Sequence, residues 1–168
     1  MRIKRILVPT DLSGASMPAE DLAADLARTL DAEVLLLFCA EPLDATSVLT
    51  ASEVASFLQE QDKAARAELE RRALRMGKRA PRVQSLVVAG MASSAIIEAA
   101  RKLGADLIVI GTHGRTGFSR FMIGSVAERV VRTAPCPVLT VRSSRARTRF
   151  QRAVGRRSGR RIGSRRGR

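Results

Sequence analysis

Short apolar runs alternate with longer amphipathic stretches along most of the chain. The runs predict five strands, over residues 3–9, 33–39, 83–89, 105–110 and 138–141. The second run, Glu33 to Cys39, is apolar along its length rather than alternating, which is typical of a parallel strand covered on both faces. Strand signals that are separated by helix signals therefore predict an α/β fold.

Four helices are predicted between these strands, over residues 16–30, 52–76, 93–103 and 125–133. In the first helix, Ser16 offers an N-cap, and apolar positions 19, 22, 23, 26, 27 and 30 form a stripe. Ser93 or Ser94 can cap the third helix, which Gly104 ends, and Gly77 ends the second.

The resulting order, β-α-β-α-β-α-β-α-β, implies a parallel sheet with helices on both faces. In such sheets ligands bind beyond the carboxyl ends of the strands, where the strand order reverses. Two turns at such ends carry unusual chemistry: one holds Asp11 and Ser13, and the other is the glycine-rich stretch 111–125. If the first and fourth strands were neighbours, these turns would face each other.

The glycine-rich stretch, GTHGRTGFSRFMIGS, links the fourth strand to the fourth helix. Glycine lets the backbone approach a ligand closely, and a strand-to-helix turn presents N–H groups and a helix N-terminus to an anion. We therefore expect residues 111–125 to hold the phosphates of a nucleotide.

The net charge of +14 is concentrated at the C-terminus. Residues 144–168 contain 11 Arg and no acidic residue, which leaves 19 basic against 16 acidic residues in the rest of the chain. This tail has almost no apolar content, so we expect a domain over 1–143 followed by a disordered Arg-rich segment over 144–168. Such a segment would contact nucleic acid or another polyanion weakly and in a salt-dependent way, or would be an incidental extension.

Composition also excludes several classes of protein. Aromatic residues make up 3% of the chain, which argues against single-stranded nucleic-acid binding by base stacking. One His and two distant cysteines cannot form a Cys/His zinc site, and Cys39 and Cys136 are expected as free thiols. No run has the length of a membrane span or a signal peptide, so a cytoplasmic protein is expected.

These features resemble the universal stress protein family in its ATP-binding form, which carries G-x2-G-x9-G-[S/T] after the fourth strand. Gly111, Gly114 and Gly124-Ser125 fit that spacing, and the opening ILVPTDLS and closing CPVLTVR are also similar to the family. The resemblance implies a flavodoxin-like, doubly wound five-stranded sheet of order 3-2-1-4-5. It also implies bound ATP with Mg²⁺, a stress-response role, and a homodimer through residues 137–142.

The resemblance implies a nucleotide site in which Asp11 lies by the nucleoside, Cys39 lies in the adenine pocket, and the glycines and Ser125 hold the phosphates. The residues assigned to this site are Pro9, Thr10, Asp11, Ser13, Cys39, Gly111, Thr112, Gly114, Arg115, Gly124, Ser125 and Val126. Two residues depart from the family pattern near the base: Phe38 replaces a common histidine, and Ala92 replaces a common proline.

Each candidate residue also has a simpler interpretation, in which its role is purely structural. Ser125 with Glu128 could form a capping box and nothing more. Asp11 could cap its own turn, and Arg115 and Arg120 could be solvated surface charges. His113, the only histidine, is more readily a structural loop residue than a catalytic one.

No catalytic set is evident in the sequence. The loop has no Gly-Lys-[Ser/Thr] and no carboxylate to position an attacking water. A regulator that binds ATP and switches conformation or partners is therefore the first hypothesis. A slow ATPase or phosphotransferase and a polyanion-binding module are the alternatives.

Overall fold

A computed structural model describes residues 2–41, 51–112 and 124–142 of the chain. Four of the residues named above, His113, Gly114, Arg115 and Arg120, lie outside the described residues, as does the Arg-rich segment 144–168.

Five parallel strands form one sheet in the order β3-β2-β1-β4-β5. They are β1 (Arg5–Thr10), β2 (Glu33–Ala40), β3 (Arg82–Ala89), β4 (Leu107–Gly111) and β5 (Val138–Val141). The predicted fold class and strand order are confirmed. The strand order reverses between β1 and β4, which pair in parallel through Ile6–Leu107 and Leu7–Ile108.

Four helices connect the strands: α1 (Met17–Leu30), α2 (Ala51–Gly77), α3 (Ala92–Lys102) and α4 (Ser125–Thr133). Gly104, with φ of +60°, follows α3 in the left-handed conformation that glycine adopts without a steric cost, as expected of a helix end. The β4 strand begins two residues later than predicted. The Asp106 carboxylate there accepts the backbone N–H groups of Lys4 and Arg5, at 2.7 and 2.9 Å.

The helix starts differ in detail from the caps that the sequence offers. Ser16 occupies the N-cap of α1 but makes no side-chain cap bond there, because its hydroxyl donates to the Ser13 carbonyl at 2.9 Å. Met91, not Ser93 or Ser94, precedes α3. Gly124 precedes α4, so Ser125 is the first residue of that helix and forms no capping box.

Two hydrophobic layers cover the sheet, one on each face. Alternate residues of the central strands point to opposite faces, so Ile6 and Val8 pack with α1 and α2, whereas Leu7 packs with α3 and α4. Helices α1 and α2 therefore lie on one face, and α3 and α4 lie on the other. This is the doubly wound arrangement that the resemblance implies.

The buried face of α1 differs from the predicted stripe. Its buried residues are Ala19, Glu20, Ala23, Ala24 and Ala27, whereas Leu22 and Leu30 are more than a third exposed. Alanines let the helix approach the sheet closely, which turns the larger leucines toward solvent. A glutamate lies at the centre of this buried face.

Among the described residues, no helix is both long and apolar enough to cross a membrane.

Candidate functional site

A cavity of about 840 Å³ opens at the carboxyl ends of β1, β2 and β4, at the reversal of strand order. Parallel α/β sheets place ligands at this position because successive loops diverge there. Pro9 and Thr10 end β1 in its wall, Cys39 and Ala40 end β2, and Gly111 ends β4. The helices α2, α3 and α4 supply the remaining walls.

The turn after β1 presents one oxygen of Asp11 without a partner. The Asp11 Oδ1 atom accepts the Ser13 N–H at 3.0 Å and the Ser13 hydroxyl at 2.8 Å. The Oδ2 atom is buried, and none of the described residues forms a hydrogen bond to it. Asp11 therefore does cap its own turn, as the simpler interpretation held, and it lines the cavity with one carboxylate oxygen that has no partner among the described residues.

A buried polar network holds this turn from the side of α1 and α2. Glu20 is fully buried, and its Oε1 atom accepts from Arg72 Nη1 at 2.6 Å and from the Thr10 hydroxyl at 2.8 Å. Its other oxygen accepts from Arg75 at 2.6 Å. We define the β1–α1 clamp as Thr10, Ser16, Glu20, Arg72 and Arg75.

Arg72 also reaches the backbone of the turn itself. It donates through Nη2 to the Leu12 carbonyl at 2.6 Å and through Nη1 to the Ser13 carbonyl at 3.1 Å. Glu68, one helical turn away, accepts from its Nε atom at 2.7 Å. Arg72 thus uses all three guanidinium nitrogens, and this fixes the orientation of its planar group.

A backbone contact shapes the described part of the opposite wall, at the β4–α4 turn. The Gly124 N–H donates to the Thr112 carbonyl at 2.8 Å, which ties the start of α4 to the end of β4. A Cβ at position 124 would lie 3.3 Å from that carbonyl oxygen, a tight contact. Ser125 begins α4 with an exposed side chain. The Glu128 carboxylate pairs with Arg132 and not with the start of the helix.

The end of β2 forms the third part of the wall. Burial, and then the charge of Glu41, raises the pKa of the Cys39 thiol to about 11, so the thiol is neutral at physiological pH. Glu41 accepts the Ala92 N–H at 3.2 Å and so caps α3 from outside. Both departures from the family pattern, Phe38 and Ala92, line the cavity.

Helix α2 contributes a wall that the sequence analysis missed. Leu58, Gln61, Asp62 and Ala65 line the cavity, and their spacing of three and four residues places them on one helical face. The spacing shows in the sequence that these four residues share a helical face. Nothing in the sequence indicated that this face of a polar helix would line a cavity. The contribution of Glu20 and Arg72 was also missed.

Eight of the twelve residues assigned to the site line this one cavity: Pro9, Thr10, Asp11, Cys39, Gly111, Thr112, Ser125 and Val126. Ser13 lies behind Asp11 and holds it. Gly124 adjoins Thr112 through its N–H. The other two, Gly114 and Arg115, fall in the part of the loop that the structure does not describe.

Comparison with known proteins decides the family. Residues 2–142 match the model of the universal stress protein family. The chain belongs to the universal stress protein family. Universal stress protein MJ0531 of Methanocaldococcus jannaschii is 34% identical over 146 residues, which cover 83% of this chain and 82% of that protein.

Solved universal stress proteins share the fold. UspA from Lactobacillus plantarum superposes with a TM-score of 0.73 at 26% identity, covering 84% of this chain and 99% of its own. A universal stress protein in complex with cAMP gives a TM-score of 0.67 at 24% identity, covering 86% and 100%. Related structures from Archaeoglobus fulgidus and Arabidopsis thaliana, at 22% and 16% identity, contain dAMP and AMP. Adenine nucleotides are thus found in several structures of this fold.

Proposed function

We propose that this universal stress protein binds ATP with Mg²⁺ in the cavity between the β1–α1 and β4–α4 turns, and that nucleotide occupancy regulates its conformation or partners. The observation that carries the proposal is the pairing of two features across one cavity. Asp11 offers a buried acceptor without a partner among the described residues, and the N-terminus of α4 opens opposite it.

The nucleoside end is assigned to the Asp11 side. A buried acceptor without a partner costs about 1–3 kcal/mol, which a ligand donor offsets. Ribose hydroxyls and the adenine amino group are such donors. Cys39 and Ala40 border the same end, where the protonated thiol and backbone present an uncharged surface to a base.

The phosphate end is assigned to the α4 side. The first N–H groups of a helix have no partners within the helix, and the helix dipole favours an anion there. Among the described residues, no side chain caps α4, because Gly124 is its N-cap and Glu128 pairs with Arg132. Gly111, Gly114, Gly124 and Ser125 would surround the phosphates, and Arg115 would add a charge-assisted contact.

The size and lining of the cavity suit a nucleotide. Ligand pockets commonly measure about 300–1,000 Å³ and combine apolar walls with a few polar groups. The cavity measures about 840 Å³, and Phe38, Ile96, Ile110 and Val126 supply apolar walls. The three adenine nucleotides held by related structures support the same ligand class.

Mg²⁺ would be held chiefly by the phosphates. The described residues contain no group of three or more metal-binding side chains. Mg²⁺ often uses only one or two protein ligands together with phosphate oxygens and water. The exposed Ser125 hydroxyl is the protein ligand that we assign, and the ion would neutralise phosphate charge at the start of α4.

The regulatory form of the proposal includes a homodimer through β5. This strand pairs only with β4 in the described sheet, and Leu139 on it is 37% exposed. An edge strand with an exposed leucine is suited to pairing with a second copy. We expect Leu139→Glu to convert a dimer to a monomer in light scattering, and an unchanged mass would contradict this interface.

Release of nucleotide from the purified protein tests the proposed function. Heating the protein and separating the supernatant by chromatography should yield an adenine nucleotide, or ATP with Mg²⁺ should raise the melting temperature of a nucleotide-free preparation. Gly124→Val should strongly reduce both effects. Gly77→Val is the matched control, because a Cβ at position 77 meets nothing within 4 Å. The proposed function would be refuted if the purified protein contained no nucleotide and its melting temperature did not change when ATP and Mg²⁺ were added.

A further inference from the structure

We propose that Arg72 is a positioning residue for the nucleotide site: from helix α2 it holds the β1–α1 turn so that Asp11 presents its free oxygen to the cavity. The inference rests on the proposed function, because it assigns a task to Arg72 at that same site. It also adds a mechanical link, since α2 lines the cavity with Gln61 and Asp62 and holds the β1–α1 turn through Arg72.

The turn needs an external restraint. Leu12, directly after Asp11, has φ of +61°, in the left-handed region that residues with a Cβ seldom adopt. Such a conformation persists where surrounding contacts hold it. The Leu12 carbonyl accepts from Arg72 Nη2 at 2.6 Å, and the Leu12 N–H donates to the Thr10 hydroxyl at 3.1 Å.

A continuous series of contacts connects Arg72 to the Asp11 carboxylate. Arg72 Nη1 donates to the Ser13 carbonyl at 3.1 Å. The N–H and hydroxyl of Ser13 donate to Asp11 Oδ1 at 3.0 and 2.8 Å. With Oδ1 held in this way, the carboxylate cannot rotate freely, and Oδ2 stays directed away from Ser13.

Only a guanidinium suits this arrangement. Arg72 bonds the carboxylate of Glu20 and two backbone carbonyls at once, from a side chain that is almost fully buried. A lysine ammonium would keep the charge beside Glu20 but cannot reproduce the planar fork. Arg72→Lys therefore separates positioning of the turn from neutralisation of the buried carboxylate.

Arg75 provides a matched control. It lies on the same helix and donates to the other oxygen of Glu20 at 2.6 Å, and its remaining ion pair is with Asp21. Arg75→Lys therefore perturbs the same buried carboxylate without removing a bond to Leu12 or Ser13.

The experiment compares ATP affinity by titration calorimetry in the full chain. Arg72→Lys should weaken binding about tenfold, the size of one lost charge-assisted hydrogen bond, and Arg75→Lys should change it by less than about twofold. If Arg72 acts through Asp11, Arg72→Lys should cause no further loss of ATP affinity in a protein that already carries Asp11→Asn. This double-mutant cycle measures the coupling between the two residues. If Arg72→Lys does not fold, Glu68→Gln serves in its place, because it weakens the contact that holds the Arg72 Nε atom. Glu68→Gln should give a smaller loss of ATP affinity, and that loss should also disappear in the Asp11→Asn background.

Amide exchange adds a readout that does not depend on ligand. Within the described residues, the Ser13 and Ala15 amides bond to side chains of this turn, at 3.0 and 3.1 Å, and should exchange faster in Arg72→Lys while amides of β1 do not. The role of Arg72 would be contradicted if folded Arg72→Lys bound ATP with the parental affinity. It would also be contradicted if the losses of affinity in Arg72→Lys and Asp11→Asn were additive. Neither outcome would contradict the proposed function. A parent protein that binds no adenine nucleotide would overturn the proposed function and this inference together.

Discussion

The two facing walls of the cavity are built by different means. In the described part of the β4–α4 wall, the backbone makes the polar contact that fixes the turn, with the Gly124 N–H bonded to the Thr112 carbonyl and α4 beginning at Ser125. The β1–α1 wall is made of side chains, with Asp11 held by Ser13 and the turn held by Arg72. The β4–α4 wall depends on the absence of a side chain at Gly124, a residue within the same loop. The β1–α1 wall depends on Arg72, which lies 60 positions from Leu12 in the sequence.

The largest expected effect is on stability and comes from the side-chain wall. Glu20→Ala leaves Arg72 and Arg75 without their shared carboxylate, and breaking a buried pair typically costs about 3–5 kcal/mol. Urea unfolding measures this loss. Glu98→Ala, which removes an exposed pair with Lys102, should leave the unfolding midpoint almost unchanged, because solvent screens that pair. Equal losses in the two variants would show that the clamp does not stabilise the fold.

The next effect concerns affinity at the backbone wall. Gly124→Val places a branched side chain against the Thr112 carbonyl and over the start of α4. Loss of two charge-assisted bonds to phosphate, at about 1.5 kcal/mol each, predicts roughly a hundredfold weaker ATP binding. Calorimetry checks this value, with Gly77→Val as the control. Parental affinity in Gly124→Val would remove α4 from the phosphate site.

A smaller effect is expected from the free oxygen of the side-chain wall. Asp11→Asn can retain the Oδ1 acceptor for Ser13 while it replaces Oδ2 with a donor. ATP affinity should fall about tenfold, because a hydrogen bond to a charged acceptor is lost. The melting temperature without ligand should change little. Unchanged affinity would place the nucleoside away from Asp11.

The smallest expected effect is on the rate at which the Cys39 thiol is alkylated, measured as a function of pH. The thiolate is the reactive form, so burial that raises the pKa of Cys39 to about 11 should make its alkylation slow at pH 8 and faster as the pH rises toward that value. ATP should protect Cys39 but leave Cys136, which does not line the cavity, unaffected. Mass spectrometry of the labelled peptides distinguishes the two. Equal protection of both thiols would indicate a global effect of ATP.

The contrast between the walls explains what the sequence could predict. The strands, the turn at Asp11 and the start of α4 followed from local apolar runs and glycine spacing, whereas the strand order followed from the family resemblance. The clamp could not be predicted in this way. Arg72 contacts Leu12 across 60 positions, and in a polar helix it is indistinguishable from its exposed neighbours such as Arg71.

The differences at the helix caps have a related cause. Ser125 has the residue type of an N-cap, but the bond from Gly124 to Thr112 starts the helix at Ser125 instead. Ser16 has the position of a cap, but its hydroxyl bonds the Thr10 hydroxyl and the Ser13 carbonyl, and it accepts from Arg72 of α2 at 3.3 Å. In both cases tertiary contacts override a local preference. Both exceptions lie at the proposed site.

Titration of ATP and Mg²⁺ into nucleotide-free protein tests the central proposal most directly. We predict saturable binding of one nucleotide per chain that is strongly weakened in Gly124→Val and retained in Gly77→Val. No saturable heat of binding in the parent protein, or equal binding in Gly124→Val, would contradict a nucleotide site between the two walls.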